Sequence, residues 1–159
     1  MKVGIVIHSR TGNTHSVGGK LMEALIEAGH EAEIERVLPA GGEGGREREI
    51  VIENPPDVGA YDAVVFGAPV HGFSVSKEME TYLVQVPSLR GKKIACFVTK
   101  GLPFYRTGGT QAISRMKDLC EAKGGTVCKT GIVIWNKQRE EQIAGLAEEL
   151  AGCFAAIPA

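Results

Sequence analysis

Ser9-Arg10-Thr11-Gly12-Asn13-Thr14 is the stretch that decides how this chain is read. It directly follows the apolar run Val3-Gly4-Ile5-Val6-Ile7 and opens onto a helical pattern. A strand that ends in hydroxyl, glycine and amide residues at a helix start makes an anion site. The first helical amides have no partner inside the helix, and the dipole places partial positive charge there. Ser9, Thr11 and Thr14 add hydroxyl donors, and Gly12 lets the backbone approach closely. The spacing is neither Gly-x-x-x-x-Gly-Lys-Ser/Thr nor Gly-x-Gly-x-x-Gly, so a terminal monophosphate suits it better than a triphosphate or a pyrophosphate. The bland alternative is a tight turn into a helix.

Outward from this stretch the chain alternates strand and helix. Residues 2–8 form a continuous apolar run, as expected of a parallel strand buried on both faces. Val17, Leu21, Ala24, Leu25 and Ala28 recur at helical spacing until Gly29. Residues 31–38 alternate as a second, less buried strand. Residues 39–60 are irregular, with a Gly-rich tip at Gly41 to Gly45 and a break at Asn54-Pro55-Pro56-Asp57. No full-length helix is expected there, and Ile50-Val51-Ile52 forms an extra strand or lies extended over the surface. Residues 61–67 make the third strand, and Ala68 to Ser74 a loop. A helix through Met79, Tyr82, Leu83 and Val86 follows, capped by Ser74 or Ser76. The fourth strand is Ile94 to Thr99, and a further loop runs from Lys100 to about Gly108. A helix through Ala112, Met116 and Cys120, a strand at Val127 to Trp135, and a helix through Ile143, Leu146, Leu150 and Phe154 complete the chain.

Five strands with intervening helices predict an α/β fold in one domain spanning 1–159, a five-stranded parallel sheet with helices on both faces. Such sheets bind ligands at the carboxyl ends of their strands, beside the topological switch point. Loops 8–14, 67–74 and 99–108 would therefore converge.

Bulk properties narrow the function classes. The chain has 159 residues, 43% hydrophobic and 23% charged, with a formal net charge of −1, which offers no long-range attraction for nucleic acid or anionic membrane. No apolar run approaches the ~20 residues that cross a bilayer, and no leader is expected before the first strand. Cys96, Cys120, Cys128 and Cys153 contain no Cys-x-x-Cys pair, so core packing in a reducing cytoplasm is the expectation, with no metal ligands assigned.

The chain resembles the flavodoxin-like family of FMN proteins. Ser9-Arg10-Thr11-Gly12-Asn13-Thr14 matches that family's Ser/Thr-x-Thr-Gly-Asn-Thr phosphate loop, and Gly67-Ala68-Pro69-Val70-His71-Gly72 and the element order extend the likeness over nearly the whole chain. Ile7 stands where the family usually has an aromatic and Gly18 where it usually has Ala. The resemblance implies a three-layer sandwich with strand order 2-1-3-4-5 and FMN as cofactor. It implies that Ser9, Thr11, Gly12, Asn13 and Thr14 hold the phosphate, with the Arg10 backbone amide. Ala68, Pro69, Val70, His71, Gly72 and Phe73 would run along one side of the flavin ring. Thr99, Lys100, Gly101, Tyr105 and Gly108 would cover its pyrimidine end and other face. His71, Phe73, Phe104 and Tyr105 are stacking candidates. His71 is also the one candidate for proton transfer, and Trp135 reads as packing.

No Asp or Glu occurs in 8–15, 67–77 or 99–111, which hold Arg10, Lys77, Lys100, Arg106 and three histidines. Nearby cations favour, and carboxylates oppose, the negative charge of a fully reduced flavin. That pattern tilts the reading towards an FMN oxidoreductase, and the loop Ala68 to Phe73 resembles that of the flavodoxin-like NAD(P)H:quinone oxidoreductases, which implies electrons passing from NAD(P)H to a quinone or similar acceptor. The alternative is a one-electron carrier working with a redox partner protein.

Overall fold

The computed structural model describes residues 1–43, 49–101 and 108–155. Its centre is β1 (Lys2–Ile7), buried from Val3 onward because it lies between two neighbours, β2 (Glu31–Arg36) and β5 (Ala63–His71). Beyond β5 come β7 (Lys93–Lys100) and β8 (Thr126–Ile134), so the parallel sheet runs β2-β1-β5-β7-β8. That is the expected 2-1-3-4-5 order, and it puts the switch point at the carboxyl ends of β1 and β5.

Alternation along the strands divides the core into two layers. Val64, Phe66, Ile94 and Val98 face α2 (Lys77–Gln85) and α3 (Gly109–Ala122) through Met79, Leu83, Ala112 and Met116. Ala63, Val65, Ala95 and Phe97 face α1 (Asn13–Glu27) and α4 (Arg139–Ala155) through Val17, Leu21, Leu146 and Leu150. The two unusual residues at 7 and 18 are one packing pair. A Cβ on Gly18 would stand 1.9 Å from Ile7 Cδ1, so the branched Ile7 fills the space that an alanine would take.

Two short elements add to the expected set. Leu38–Pro39 (β3) pairs antiparallel with Ile52–Glu53 (β4), so the extra strand expected at 50–52 shares only Ile52 with its apolar run. Residues 68–74 are a hairpin rather than a loop. β5 continues through Ala68-Pro69-Val70-His71, and Val70 and His71 pair with Val75 and Ser74 of β6 (Ser74–Val75). Two β-branched residues facing each other favour this extension.

The cysteine expectation divides. Cys96 and Cys120 are buried side by side, their sulfurs 3.9 Å apart, as packing residues. Cys128 and Cys153 are instead joined as a disulfide between β8 and α4. The register explains it: Val127 pairs with Ile94 and Lys129 with Ala95, leaving Cys128 as the extra residue of a bulge. A bulge re-aims its side chain, here towards α4. The expectation of a reducing compartment rested on unpaired cysteines and loses that support. Among the described residues, no helix is long and apolar enough to cross a membrane.

Candidate functional site

The opening stretch forms the turn between β1 and α1. Gly12 is the N-cap of α1 at φ 97° and has no side chain of its own to cap the helix. Only glycine adopts that conformation without strain, and a Cβ there would meet nothing within 4 Å, so the helix start faces open space. Ser9 is buried, and its Oγ accepts from the amides of Gly12 (3.1 Å) and His15 (3.2 Å), which holds the turn together. Arg10 and Thr11 are exposed and Asn13 is half-buried at the rim. Thr14 differs from the rest. It is buried, and its hydroxyl shares a 2.7 Å hydrogen bond with Thr99 Oγ1 at the end of β7. It ties the first loop to the third.

The second and third loops also meet. Gly72 and Phe73 form the hairpin tip, both at positive φ (57° and 65°), the twist that a two-residue hairpin requires. For Phe73 this is a strained conformation, and its ring is 62% exposed. Gly108, at φ 98°, closes on the tip: a Cβ there would lie 2.6 Å from Phe73 Cα and 2.7 Å from Val70 Cγ1. Ala68 is buried, Pro69 and Val70 are half-buried, and Gly101 is exposed beside the buried Thr99 and Lys100. Burial lowers the pKa of Lys100 from its ordinary value. The three expected loops thus converge, though Phe104, Tyr105 and Arg106 lie outside the described residues. Trp135 packs at the core edge with the Arg139 guanidinium 5.2 Å over its ring, as a packing residue should.

The acid-free character of the loops does not survive folding. His8, the last buried residue before the turn, holds Ser76 Oγ at 2.8 Å through Nδ1. Its Nε2 meets Glu43 Oε2 at 3.0 Å and Glu78 Oε2 at 3.4 Å. The His71 ring stands edge-on to His8, with centroids 6.1 Å apart. Burial is the main cause that lowers the His71 pKa from its ordinary value; His8 and Arg10 add to this, and Glu78 and Glu43 oppose it. Two carboxylates therefore stand at the hairpin side of the site. Glu78 follows the second window by one residue, and Glu43 arrives from the Gly-rich segment. His8 and Ser76 were not among the site residues expected from sequence. The signal for them was weak: a histidine ending an apolar strand, with its partners 35 and 68 residues away.

No family model matches the chain. Among solved structures it is similar to the two-electron reduced flavodoxin of Megasphaera elsdenii, at 26% identity and TM-score 0.71, covering 94% of this chain and 98% of that one. It is similar to oxidised flavodoxin 2 from Bacillus cereus at 18% identity and TM-score 0.70, covering 96% and 99%. A flavoprotein from Lactobacillus acidophilus, solved in complex with FMN, aligns at 18% identity and TM-score 0.64, covering 89% and 97%. These likenesses show the fold over nearly the full length of each chain.

Proposed function

We propose that this chain, whose fold is that of the flavodoxins, binds FMN and serves in electron transfer. The observation that carries the reading is the start of α1, where the N-cap Gly12 has no side chain and Ser9, Thr11 and Asn13 flank the turn. Ser9 Oγ holds the Gly12 and His15 amides, and the other first-turn amides line a concavity into which Gly12 brings no side chain, which fits a monophosphate. Thr14 bonded to Thr99, and Gly108 closed on Phe73, keep the other two loops beside it. Bound FMN supplies the electron chemistry, and the protein sets its orientation and potential. Phe73, exposed at the hairpin tip, offers an apolar face for the ring.

Within that function the carrier role is the better supported. The oxidoreductase reading leaned on acid-free loops, and Glu43 and Glu78 stand beside His8 and His71 in the folded chain. In the metal-free chain, negative charge there opposes full reduction and leaves the protein suited to exchanging single electrons with a redox partner. The second reading, an NAD(P)H-dependent reductase of quinones or similar acceptors, is favoured by the second loop, Ala68 to Phe73, which offers neither Trp nor Tyr to the ring.

Fluorescence titration with FMN, riboflavin and FAD tests the cofactor. FMN should bind, and riboflavin, lacking the phosphate, should bind at least roughly tenfold more weakly, a loss of about 1.4 kcal/mol. Failure of FMN to bind overturns both readings. Reductive titration of the FMN-loaded protein then separates them. Two resolved one-electron steps support the carrier. A single two-electron step, with rapid NADPH oxidation once a quinone is added, supports the reductase.

A further inference from the structure

We infer that His8, Glu43 and Glu78 form a binding site for one divalent transition-metal ion, best matched to zinc. The inference does not rest on FMN binding. The three donor atoms, one from each side chain, all lie within 4.8 Å of one another. His8 Nε2 is 3.0 Å from Glu43 Oε2 and 3.4 Å from Glu78 Oε2. Ligands about 2.1 Å from a zinc ion at tetrahedral angles stand roughly 3.4 Å from each other. The two distances from His8 lie near that spacing, and the two carboxylates lie within 4.8 Å of each other.

Hydrogen bonding alone leaves the cluster incomplete. His8 Nδ1 is engaged with Ser76 Oγ, so Nε2 alone faces the two carboxylates. One Nε2 proton serves one oxygen well, and Glu43 has the shorter contacts, at 3.0 and 3.2 Å. Glu78 Oε2 is shielded from solvent and has no hydrogen-bond partner. A buried, unpartnered carboxylate oxygen is costly. A cation in place of the Nε2 proton would contact both carboxylates at once, and two carboxylates with a neutral imidazole balance a divalent charge.

The surroundings are those of a metal ligand. With its proton on Nδ1, His8 would donate to Ser76 Oγ and present the Nε2 lone pair to the ion, the arrangement that outer hydrogen bonds impose on ligating histidines. Ser76 is itself fixed as the N-cap of α2, its Oγ accepting from the Met79 amide at 3.4 Å. Glu78 sits in the first turn of that helix. Glu43 and Glu78 side chains keep 27% and 19% exposure, which leaves the ion a route in and room for a further ligand. One nitrogen with carboxylate oxygens suits zinc and its first-row neighbours better than magnesium.

Calorimetry on the full chain, stripped with EDTA and titrated with zinc chloride, tests this with and without added FMN. The expected result is saturable binding of one zinc per chain. Glu78→Gln and Glu43→Gln, which preserve side-chain shape, should each weaken binding at least tenfold, and magnesium should bind at least tenfold more weakly than zinc. His8→Gln should abolish binding, and because His8 is buried, the two glutamate variants carry the test if it does not fold. No saturable binding up to roughly millimolar zinc overturns the site, as does unchanged zinc affinity in Glu78→Gln. Equal affinity for magnesium overturns the assignment to transition metals. A protein that binds zinc but not FMN refutes the proposed function and leaves this inference standing.

Discussion

The turn between β1 and α1 and the cluster around His8 begin at adjacent residues and are built in different ways. The turn is six consecutive residues whose local geometry follows from their own chemistry: Gly12 at positive φ as an N-cap without a side chain, and Ser9 bracing two amides. The cluster draws Glu43 from the irregular segment, Ser76 from the end of the hairpin and Glu78 from α2. A site made by neighbours in sequence survives as long as one turn does. A site made by distant segments depends on every contact that docks those segments. The hairpin tip, with its two residues at positive φ, is where that dependence concentrates.

Gly108→Ala strikes that docking hardest. The new methyl would need both a left-handed backbone and the space of Phe73 Cα at 2.6 Å. The conformational cost is about 1–2 kcal/mol, and displacing the hairpin backbone adds a comparable amount. Denaturant unfolding should show a loss of about 3 kcal/mol. Gly101→Ala, where a Cβ meets nothing within 4 Å, should be nearly neutral. Equal effects at the two glycines would break the contrast.

The Thr14–Thr99 hydrogen bond is where the contiguous turn itself relies on a distant residue. Thr14→Val leaves the Thr99 hydroxyl buried without its partner, which costs about 1–3 kcal/mol. The double variant with Thr99→Val removes both polar groups and should recover most of that loss. A double-mutant cycle in urea reads the coupling directly. Additive losses would mean that the two threonines act independently.

Phe73→Asn should act in the opposite direction. Asparagine tolerates the left-handed conformation that Phe73 adopts at φ 65°, and an exposed ring forfeits little burial. Stability should rise by about 0.5–1 kcal/mol. FMN affinity should fall several-fold if the ring stacks on the flavin, so the two readouts move apart.

How much was readable beforehand follows the same division. The five principal strands and four helices were legible because burial on both faces writes continuous apolar runs, and amphipathic helices write their own period; the sheet order came from the family resemblance. The turn between β1 and α1 was legible because its six residues carry the geometry themselves. The hairpin at 68–76 was not, because its turn is Gly72-Phe73 and a phenylalanine at positive φ follows no turn preference. The Cys128–Cys153 bridge was hidden because it depends on a bulge, and residue spacing does not reveal a shift of register. The acid-free windows misled for the same reason. Glu43 comes from a segment whose distance from the site no periodicity records.

His71 gives the smallest effect and the finest probe of the assembled region. Burial between the hairpin and the His8 cluster lowers its pKa from the ordinary 6.5, and Glu78, which alone would raise it, does not prevail. The unfolded chain then binds a proton more readily than the folded one as pH falls through about 6.5. Stability must drop across that window and level off below the folded pKa, with a slope of less than one proton per molecule. His71→Gln should remove this part of the slope between pH 7 and 5, measured by urea unfolding at stepped pH. Glu78→Gln in the wild-type His71 background should deepen the drop, because it removes the charge that favours the imidazolium. A shallower drop in Glu78→Gln would mean that the carboxylate does not face His71, and the hairpin would then be docked differently.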